Sequence, residues 1–517
     1  MPHCKPLIAA ILILALAQTA AGEDPMLTAK VSPFNVADKS QLFIDKVLVR
    51  ETRNLAFTLH PARKHPENPL VKADQPWEGW RLEIYGNVIY DEQEKLFKMW
   101  YIGEEPEAFP HYATLYATSK DGIHWEKPLI GTVKTDKYDR HNAVAEEVLL
   151  ASVIKDNNDP DPARRYKMIC WLQKTRGYQT MISPDGLNWT RLSQQPICRG
   201  GDVITGYYDE QRQRYVAFPK IPTDIRGHNR RVFWITTSED FQSWTEPKLV
   251  IYPDLRDDAS SLARIEEVRP ILDVPDDPAL MRTEFYGIGV YPAESCTLAF
   301  PWLFTVNNNA RYGNQEGPGE LQLAVSRDLE HWQRPFRTPC VPRGKIGEWD
   351  CGFFCTQSRA LRVRDEIWLY YTGSNYTHGT PCLYRAENTG RHTQYTGAIG
   401  LALWDLDRFV SVDAPAQGGS LTTIPITFTG NRLEINANIA GTMTVSLCDP
   451  AGNPIEPYAA SDPITGDNLR HTVTWNHNPD LTPLTGKPIT LRFQMTSAQL
   501  FAFAFKAKGV RAQGVRS

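Results

Sequence analysis

Ser119-Lys120-Asp121-Gly122-Ile123-His124-Trp125 is one of four copies of a Ser-x-Asp pattern that ends in Trp. The other copies span residues 183–189, 238–244 and 326–332, and in each the Trp follows the Asp by four positions. Ser and Asp side chains bond readily to nearby backbone N–H groups in turns, and a Trp ring can cover a hairpin. We therefore interpret the motif as a repeated structural turn and not as a catalytic site.

The sequence around each turn repeats as well. An apolar strand precedes each copy, as in residues 114–118 and 179–182, and the better copies have an aromatic strand further upstream, as in residues 96–102. The four Trp residues are 64, 55 and 88 positions apart, which suits a four-stranded propeller blade with loops of varying length. Residues 350–409 supply a fifth copy in which 405–409 replace the Ser-x-Asp turn. The sequence predicts an all-β fold with a five-bladed β-propeller.

Composition agrees with this interpretation. The 517 residues include 14 Trp, 21 Tyr and 20 Phe beside 38 Pro and 34 Gly, a mixture typical of many short strands joined by tight turns. The 56 Lys and Arg residues nearly balance the 60 Asp and Glu residues, which argues against nucleic acid as a main partner.

The N-terminus predicts export. His3 and Lys5 precede an apolar run from Leu7 to Ala17 and then small residues up to Gly22, the pattern of a signal peptide over residues 1–22. No later apolar segment is long enough to span a bilayer as a helix. We expect a secreted or periplasmic protein without an integral membrane segment.

The texture changes after Val412. Six short alternating strands are separated by turn clusters such as residues 449–453. This pattern predicts a C-terminal antiparallel β-sandwich over residues 412–508, after a propeller over residues 33–411. The six predicted strands span residues 424–428, 432–436, 442–447, 469–475, 489–496 and 500–506.

Carboxylates on the innermost strands are the candidates for chemistry, because these strands line a central funnel where side chains of different blades converge. Glu83 lies on the first strand of blade 1, Asp202 on that of blade 3 and Glu284 on that of blade 4; blades 2 and 5 offer Glu147 and Asp350. Several acids aimed at one cavity cannot all ionise freely, which separates their pKa values and supplies an acid and a base. The non-catalytic alternatives are a structural ion pair for Glu83 and a structural cation site for Asp202 and Glu284.

The turns, the signal peptide, the five repeats and the C-terminal strands together resemble the five-bladed propeller glycosidases of glycoside hydrolase family 32 and the related family 43. The family-32 motif Trp-Met-Asn-Asp-Pro-Asn-Gly, laid on Trp80 to Gly86, matches at both ends and puts its nucleophilic Asp at Glu83. The family's Arg-Asp-Pro has a loose counterpart from Arg199 to Asp202, and its Glu-Cys acid corresponds by order to Glu284.

The resemblance implies roles for these residues. Glu284 would protonate the leaving oxygen, Glu83 would attack or activate water, and Asp202 would bind a sugar hydroxyl. Flat aromatic rings stack on sugars and guanidinium groups bind hydroxyl or acidic groups, which adds a set of substrate-binding candidates. These are Trp80, Arg81, Tyr85, Arg199, Trp349 and Asp350.

The sequence thus predicts a secreted glycoside hydrolase that cleaves an extracellular poly- or oligosaccharide with funnel carboxylates, and that needs no metal or other cofactor. The alternative is a propeller that binds carbohydrate without cleaving it. A catalytic site predicts that Glu83 and Glu284 face one pocket, whereas a binding module predicts aromatic side chains without a facing acid pair.

Overall fold

The computed structural model describes residues 32–103, 113–172, 174–310, 314–379 and 396–507. The predicted signal peptide lies outside these residues. Within them the chain is almost entirely β-structure, with two short α-helices at Leu255–Ala259 and Ser261–Glu266. Short 3₁₀ helices occur at Pro162–Arg164, Arg269–Ile271 and Thr482–Leu484. None of the helices in the described ranges has the length and apolar character needed to cross a bilayer.

Five antiparallel sheets follow one another along the chain and form the predicted five blades. Blade 1 contains Leu82–Glu83, Val88–Asp91, Leu96–Gly103, Ala113–Ser119 and Ala143–Glu146. Blade 2 contains Val148–Lys155, Tyr166–Leu172, Gly177–Ser183 and Thr190–Arg191. Blade 3 contains Ile204–Asp209, Arg214–Pro219, Phe233–Ser238 and Lys248–Ile251. Blade 4 contains Arg282–Pro292, Thr297–Val306, Gly319–Leu321 and Ala324–Ser326. Blade 5 contains Phe353–Thr356, Leu361–Val363, Glu366–Ser374 and Gly397–Asp405.

The ring is closed by a strand from the start of the chain. Arg63–Lys64 pairs with Gly397–Asp405 and forms the outer edge of blade 5. Because this strand precedes blade 1 in sequence, the pairing joins the first and last blades through backbone hydrogen bonds.

The Ser-x-Asp turns are structural, as predicted. In the first copy, Ser119 Oγ accepts a hydrogen bond of 2.8 Å from the Gly122 amide, and Asp121 Oδ1 accepts bonds of 2.8 Å from the two amides that follow. The same bonds recur in the other three copies. The residue after the Asp has a positive φ in all four: 77° at Gly122, 78° at Gly186, 65° at Phe241 and 71° at Leu329. The motif therefore specifies one backbone conformation, which glycine adopts at least cost.

These turns also connect neighbouring blades. The Tyr370 hydroxyl of blade 5 donates a hydrogen bond of 2.6 Å to the Gly122 carbonyl of blade 1. In the same way, Trp100 Nε1 of blade 1 donates a bond of 2.9 Å to the Gly186 carbonyl of blade 2. Each of these two turns is thus held by a buried aromatic residue of the preceding blade, so the repeat positions whole blades as well as single hairpins.

The C-terminal strands form one sheet with strands from near the start of the chain. Its eight strands are Gln41–Leu42, Val49–Arg53, Ala56–Leu59, Val410–Ala414, Gly419–Thr423, Arg432–Cys448, Ile464–Thr472 and Thr490–Lys506. The propeller span predicted from residue 33 thus begins with strands that pair with the C-terminal ones. The sandwich form and the boundary at residue 412 stay predictions.

Two of the predicted strand divisions are wrong. Residues 432–436 and 442–447 belong to one strand, Arg432–Cys448, and residues 489–496 and 500–506 to another, Thr490–Lys506. The register between these strands shifts at Asn436/Ala437 and at Ile439/Thr442. Such bulges let a strand continue without ending, so each pair of predicted strands is one strand with a shifted register.

Three two-stranded sheets complete the fold. They pair Phe34–Ala37 with Ile426–Phe428, Thr223–Ile225 with His228–Arg230, and Asn308–Asn309 with Gln315–Glu316. Only the first is parallel among these three.

Candidate functional site

The Tyr286 ring is the meeting point of charged side chains from several blades. Tyr286 lies on the inner strand of blade 4 and is 7% exposed. Lys220 Nζ lies 4.1 Å from its ring centroid, and the Arg231 guanidinium carbon lies 5.2 Å from it. His378 Nε2 is 3.3 Å from its hydroxyl oxygen. We call the group around this ring the Tyr286 cluster; its members are Arg81, Glu83, Asp202, Lys220, Arg231, Arg282, Glu284, Tyr286 and His378.

Glu284 is the most enclosed carboxylate of the cluster. Its side chain is fully buried. Arg231 pairs with Oε2, and Arg282 donates a hydrogen bond of 2.7 Å to Oε1. Both carboxylate oxygens are therefore engaged by guanidinium groups.

Asp202 is the most accessible of the three carboxylates, with a side chain that is 35% exposed. It forms an ion pair with the buried ammonium group of Lys220. Burial acts to raise the pKa of Asp202, but the charge of Lys220 outweighs it and holds that pKa below its ordinary value. Asp202 is thus an ionised, partly open hydrogen-bond acceptor.

Glu83 lies near two residues of its own segment, Arg81 and Tyr85. Arg81 Nη1 lies 3.3 Å from its Oε1, and the Tyr85 hydroxyl lies 3.5 Å from the same oxygen. Glu83 lies at the end of a two-residue strand, and the chain leaves the sheet until Val88. The ion pair with Arg81, which was the non-catalytic alternative for Glu83, is therefore present. Its distance of 3.3 Å is longer than the 2.7 Å between Arg282 and Glu284.

Burial shifts the pKa values of the groups at the centre of the cluster. Burial raises the pKa of Tyr286 well above its ordinary range, and the charge of Asp202 and, more weakly, that of Glu83 raise it further. Burial also lowers the pKa of His378 to about 3, and the charge of Arg231 adds to this effect. His378 is therefore neutral at pH 7, and its ring nitrogens serve as one donor and one acceptor.

Asp202 and Glu284 thus lie around one ring through their partners Lys220 and Arg231, and the charge of Glu83 reaches the same ring. The charges of Glu83 and Asp202 both raise the pKa of Tyr286, and Glu284 lies two residues before Tyr286 on the same strand. A site with several carboxylates and fixed cationic donors, in which Asp202 is partly exposed, can bind sugar hydroxyls. It can also carry out acid–base chemistry if the protonation states of two acids differ.

The other predicted contacts lie at varying distances from this centre. Arg81 belongs to the cluster, Tyr85 is buried beside Glu83, and the Arg81 guanidinium carbon lies 5.4 Å from the Trp80 ring centroid. Arg199 is exposed, and its backbone pairs with Gly177 at the edge of blade 2.

Asp350 has a structural environment. It is 1% exposed, pairs with Lys64 Nζ at 2.6 Å and accepts a hydrogen bond of 2.8 Å from the Tyr371 hydroxyl. Trp349 stacks on the same Tyr371 ring at 5.5 Å. Lys64 belongs to the strand that closes the ring, so these contacts stabilise closure; a role in substrate binding stays a prediction for both Trp349 and Asp350.

Sequence reasoning missed five members of the cluster, namely Lys220, Arg231, Arg282, Tyr286 and His378. A signal for two of them was present. The pattern Arg-x-Glu-x-Tyr-Gly occurs at residues 81–86 and again at residues 282–287, and alternate residues of a strand share one face. No such repeat marks the other three members, Lys220, Arg231 and His378, which lie outside the strands.

The sequence matches no known family profile, and it matches no curated protein. Its fold is similar to solved structures that include propeller glycoside hydrolases. A thermostable family-43 glycoside hydrolase is 12% identical, with a TM-score of 0.42 over 66% of this chain and 96% of that chain. A fructofuranosidase from Schwanniomyces occidentalis, complexed with fructosylnystose, is 12% identical, with a TM-score of 0.37 over 86% and 99%. An N-acetylgalactosamine deacetylase from F. plautii, in complex with blood group B trisaccharide, is 14% identical, with a TM-score of 0.39 over 69% and 96%.

Proposed function

We propose that this protein is a secreted glycoside hydrolase whose active site is the Tyr286 cluster. The observation that carries the proposal is that the Asp202–Lys220 and Glu284–Arg231 pairs meet at the Tyr286 ring, where the charge of Glu83 is also felt. Glycoside hydrolysis needs a proton donor for the leaving oxygen and a second carboxylate that attacks the sugar or activates water. The cluster holds the residue types for both tasks.

The contacts suggest how the roles divide. Glu83 has one guanidinium contact of 3.3 Å and is the carboxylate that attacks the sugar or activates water. Asp202 is ionised and partly exposed, and it binds a sugar hydroxyl. Glu284 donates the proton.

The test is the release of reducing sugar from a panel of plant, algal and microbial glycans by the purified chain. We expect Glu284→Gln and Glu83→Gln each to reduce the rate on a hydrolysed glycan by about 10³-fold or more, since each removes a reacting group. Glu330→Gln is the matched control. Glu330 lies on the Ser-x-Asp turn of blade 4, is half-exposed and pairs with Lys248. Full activity of both cluster variants would overturn the assignment.

A specific observation favours the alternative, a carbohydrate-binding propeller without activity. Each of the three carboxylates already has a cationic partner: Arg81 for Glu83, Lys220 for Asp202, and two arginines for Glu284. Such a neutralised set recognises hydroxyl groups well and protonates a leaving group poorly. Saturable binding of a glycan that the protein does not cleave, weakened by Asp202→Asn, would establish this function instead.

A further inference from the structure

A large opening lies at the end of the propeller axis away from the Tyr286 cluster. It is a cavity of about 1000 Å³, and the far ends of the inner strands of all five blades line it. One lining residue of each blade is Tyr90, Asp156, Tyr208, Glu294 and Arg359, in the order of the blades. Lys506, at the end of the last C-terminal strand, completes the wall. We call this opening the far cavity.

The far cavity is separate from the Tyr286 cluster. Hydrogen bonds join the inner strands across the axis between them: Ser152 Oγ lies 2.5 Å from Ser358 Oγ, and the Thr205 hydroxyl donates to the Ile288 carbonyl. All three hydroxyl-bearing residues are buried. Along the inner strand of blade 4, Ile288 lies between Glu284 and Tyr291, so this layer closes the axis between the two ends.

The walls of the far cavity carry no net charge. Five carboxylates and five cationic side chains line it. Several pair with one another: Arg359 forms two hydrogen bonds of 3.0 Å with Glu210, and Lys506 lies 2.8 Å from Glu294. A charged ligand would have to break such pairs, whereas a neutral polar ligand can bond to their remaining donors and acceptors.

One buried acceptor in the wall has no partner. Asn87 is 3% exposed and lines the far cavity, and its Oδ1 accepts no hydrogen bond from the described residues. A buried carbonyl oxygen without a donor is costly, and such atoms normally have a protein or ligand partner. Because this oxygen is shielded from solvent, a ligand hydroxyl supplies the missing donor only when the Asn87 side chain turns toward the cavity.

Aromatic side chains stand beside this acceptor. Tyr90 and Tyr208 are both half-buried members of the wall. Their rings are held by packing, with centroids 4.8 Å from Phe97 and 5.0 Å from Tyr215. Fixed tyrosine rings among balanced donors and acceptors are suited to the apolar faces and hydroxyl groups of sugars.

We propose that the far cavity is a second binding site, which takes a neutral oligosaccharide and does not cleave it. This inference goes beyond the proposed hydrolase activity, because it concerns the opposite end of the propeller. Its volume lies at the upper end of the range for small-ligand sites, about 300–1000 Å³, which leaves room for several sugar units.

The test is equilibrium binding by calorimetry of neutral xylo-, manno-, cello-, galacto- and fructo-oligosaccharides of four to six sugars. The protein is the full chain with Glu284→Gln, so that turnover does not interfere, and oligogalacturonide serves as the charged comparison. We expect at least one neutral oligosaccharide to bind. Tyr208→Ala and Asn87→Ala should each weaken that binding by at least fivefold, and Tyr208→Phe, which keeps the ring, should restore most of it.

Tyr252→Ala is the matched control, since Tyr252 is a 48% exposed tyrosine outside the far cavity. Thermal unfolding of every variant checks that the fold is kept. Failure of all neutral probes to bind would overturn the inference, as would binding that Tyr208→Ala leaves unchanged or an equally tight oligogalacturonide complex. Hydrolysis by the chain without Glu284→Gln is measured separately, so loss of the far site and loss of the proposed activity are distinguishable.

Discussion

The segments Arg81–Gly86 and Arg282–Gly287 share the pattern Arg-x-Glu-x-Tyr-Gly but not the same surroundings. In blade 4 the segment begins a continuous strand of 11 residues, and its Glu284 is fully buried between two arginines. In blade 1 the strand stops after Glu83, which has one arginine contact at 3.3 Å. The comparison teaches that the same local pattern produces a tightly held carboxylate where a neighbouring blade adds a second cation, here Arg231 of blade 3.

The largest difference should appear when each glutamate is removed. We expect Glu284→Ala to lower the free energy of unfolding by about 3–5 kcal/mol, because it leaves Arg231 and Arg282 without their carboxylate. Glu83→Ala should cost only about 1–2 kcal/mol, because its contacts are longer. Urea denaturation followed by fluorescence measures both, with Glu330→Ala as the surface control. Equal losses would mean that the second arginine contributes nothing.

The two glycines test how tightly the segments pack. A Cβ on Gly287 would lie 1.9 Å from Trp302 Cε3, and one on Gly86 would lie 2.2 Å from the Trp100 carbonyl oxygen. We expect either alanine substitution to cost about 2–3 kcal/mol of stability. Gly287→Ala should also weaken glycan binding or hydrolysis, because the Trp302 ring packs against Tyr85 at 5.4 Å. Stability equal to that of the parent protein in denaturant titrations would show that the neighbouring groups move freely.

His378 makes the stability of the folded protein depend on pH. It contacts Tyr286, and burial lowers its pKa from 6.5 to about 3. Below pH 6.5 the unfolded chain binds a proton that the folded chain excludes, so the stability contribution present above pH 6.5 is lost as the pH falls toward 3.

For this one group the loss is about 2 kcal/mol between pH 7 and pH 5. We expect His378→Gln to remove that part of the pH dependence, as measured by denaturant titrations at both pH values. An unchanged difference between the two pH values in His378→Gln would contradict the low pKa.

The smallest effects belong to the tyrosine hydroxyls. Tyr85→Phe removes a contact of 3.5 Å to Glu83, and Tyr286→Phe removes one of 3.3 Å to His378. Both should cost less than about 1 kcal/mol of stability. Only Tyr286→Phe should alter the titration of His378, which NMR can follow. An identical His378 titration curve in both variants would argue against the contact.

The repeats made most of the propeller predictable. The Ser-x-Asp turns and the aromatic strands before them indicate five blades, because the turn chemistry acts within seven residues and needs no distant partner. The closing strand Arg63–Lys64 was not predicted, since its pairing with Gly397–Asp405 joins residues more than 300 positions apart. The register shifts in Arg432–Cys448 were mistaken for breaks for a related reason: a bulge depends on the partner strand.

The candidate site was predictable in part. Glu83 and Glu284 lie on inner strands and Asp202 lies two residues before one, and the propeller geometry alone implies that they converge. The cations that surround them were not predictable from their neighbours in sequence. Arg231 is 53 residues away from Glu284 along the chain, and His378 is 92 residues away from Tyr286.

The sequence by itself determined the all-β class, the repeated turn and the number of blades, because each depends on local patterns of side chains, whereas the three carboxylates stay a prediction. Only the tertiary structure decided which cation pairs with which carboxylate, that Asp350 binds Lys64, and that all five blades line a cavity at one end of the axis. Charge pairing and cavity shape depend on side chains that come within a few ångströms only after the ring closes, and such distances are a property of the whole fold.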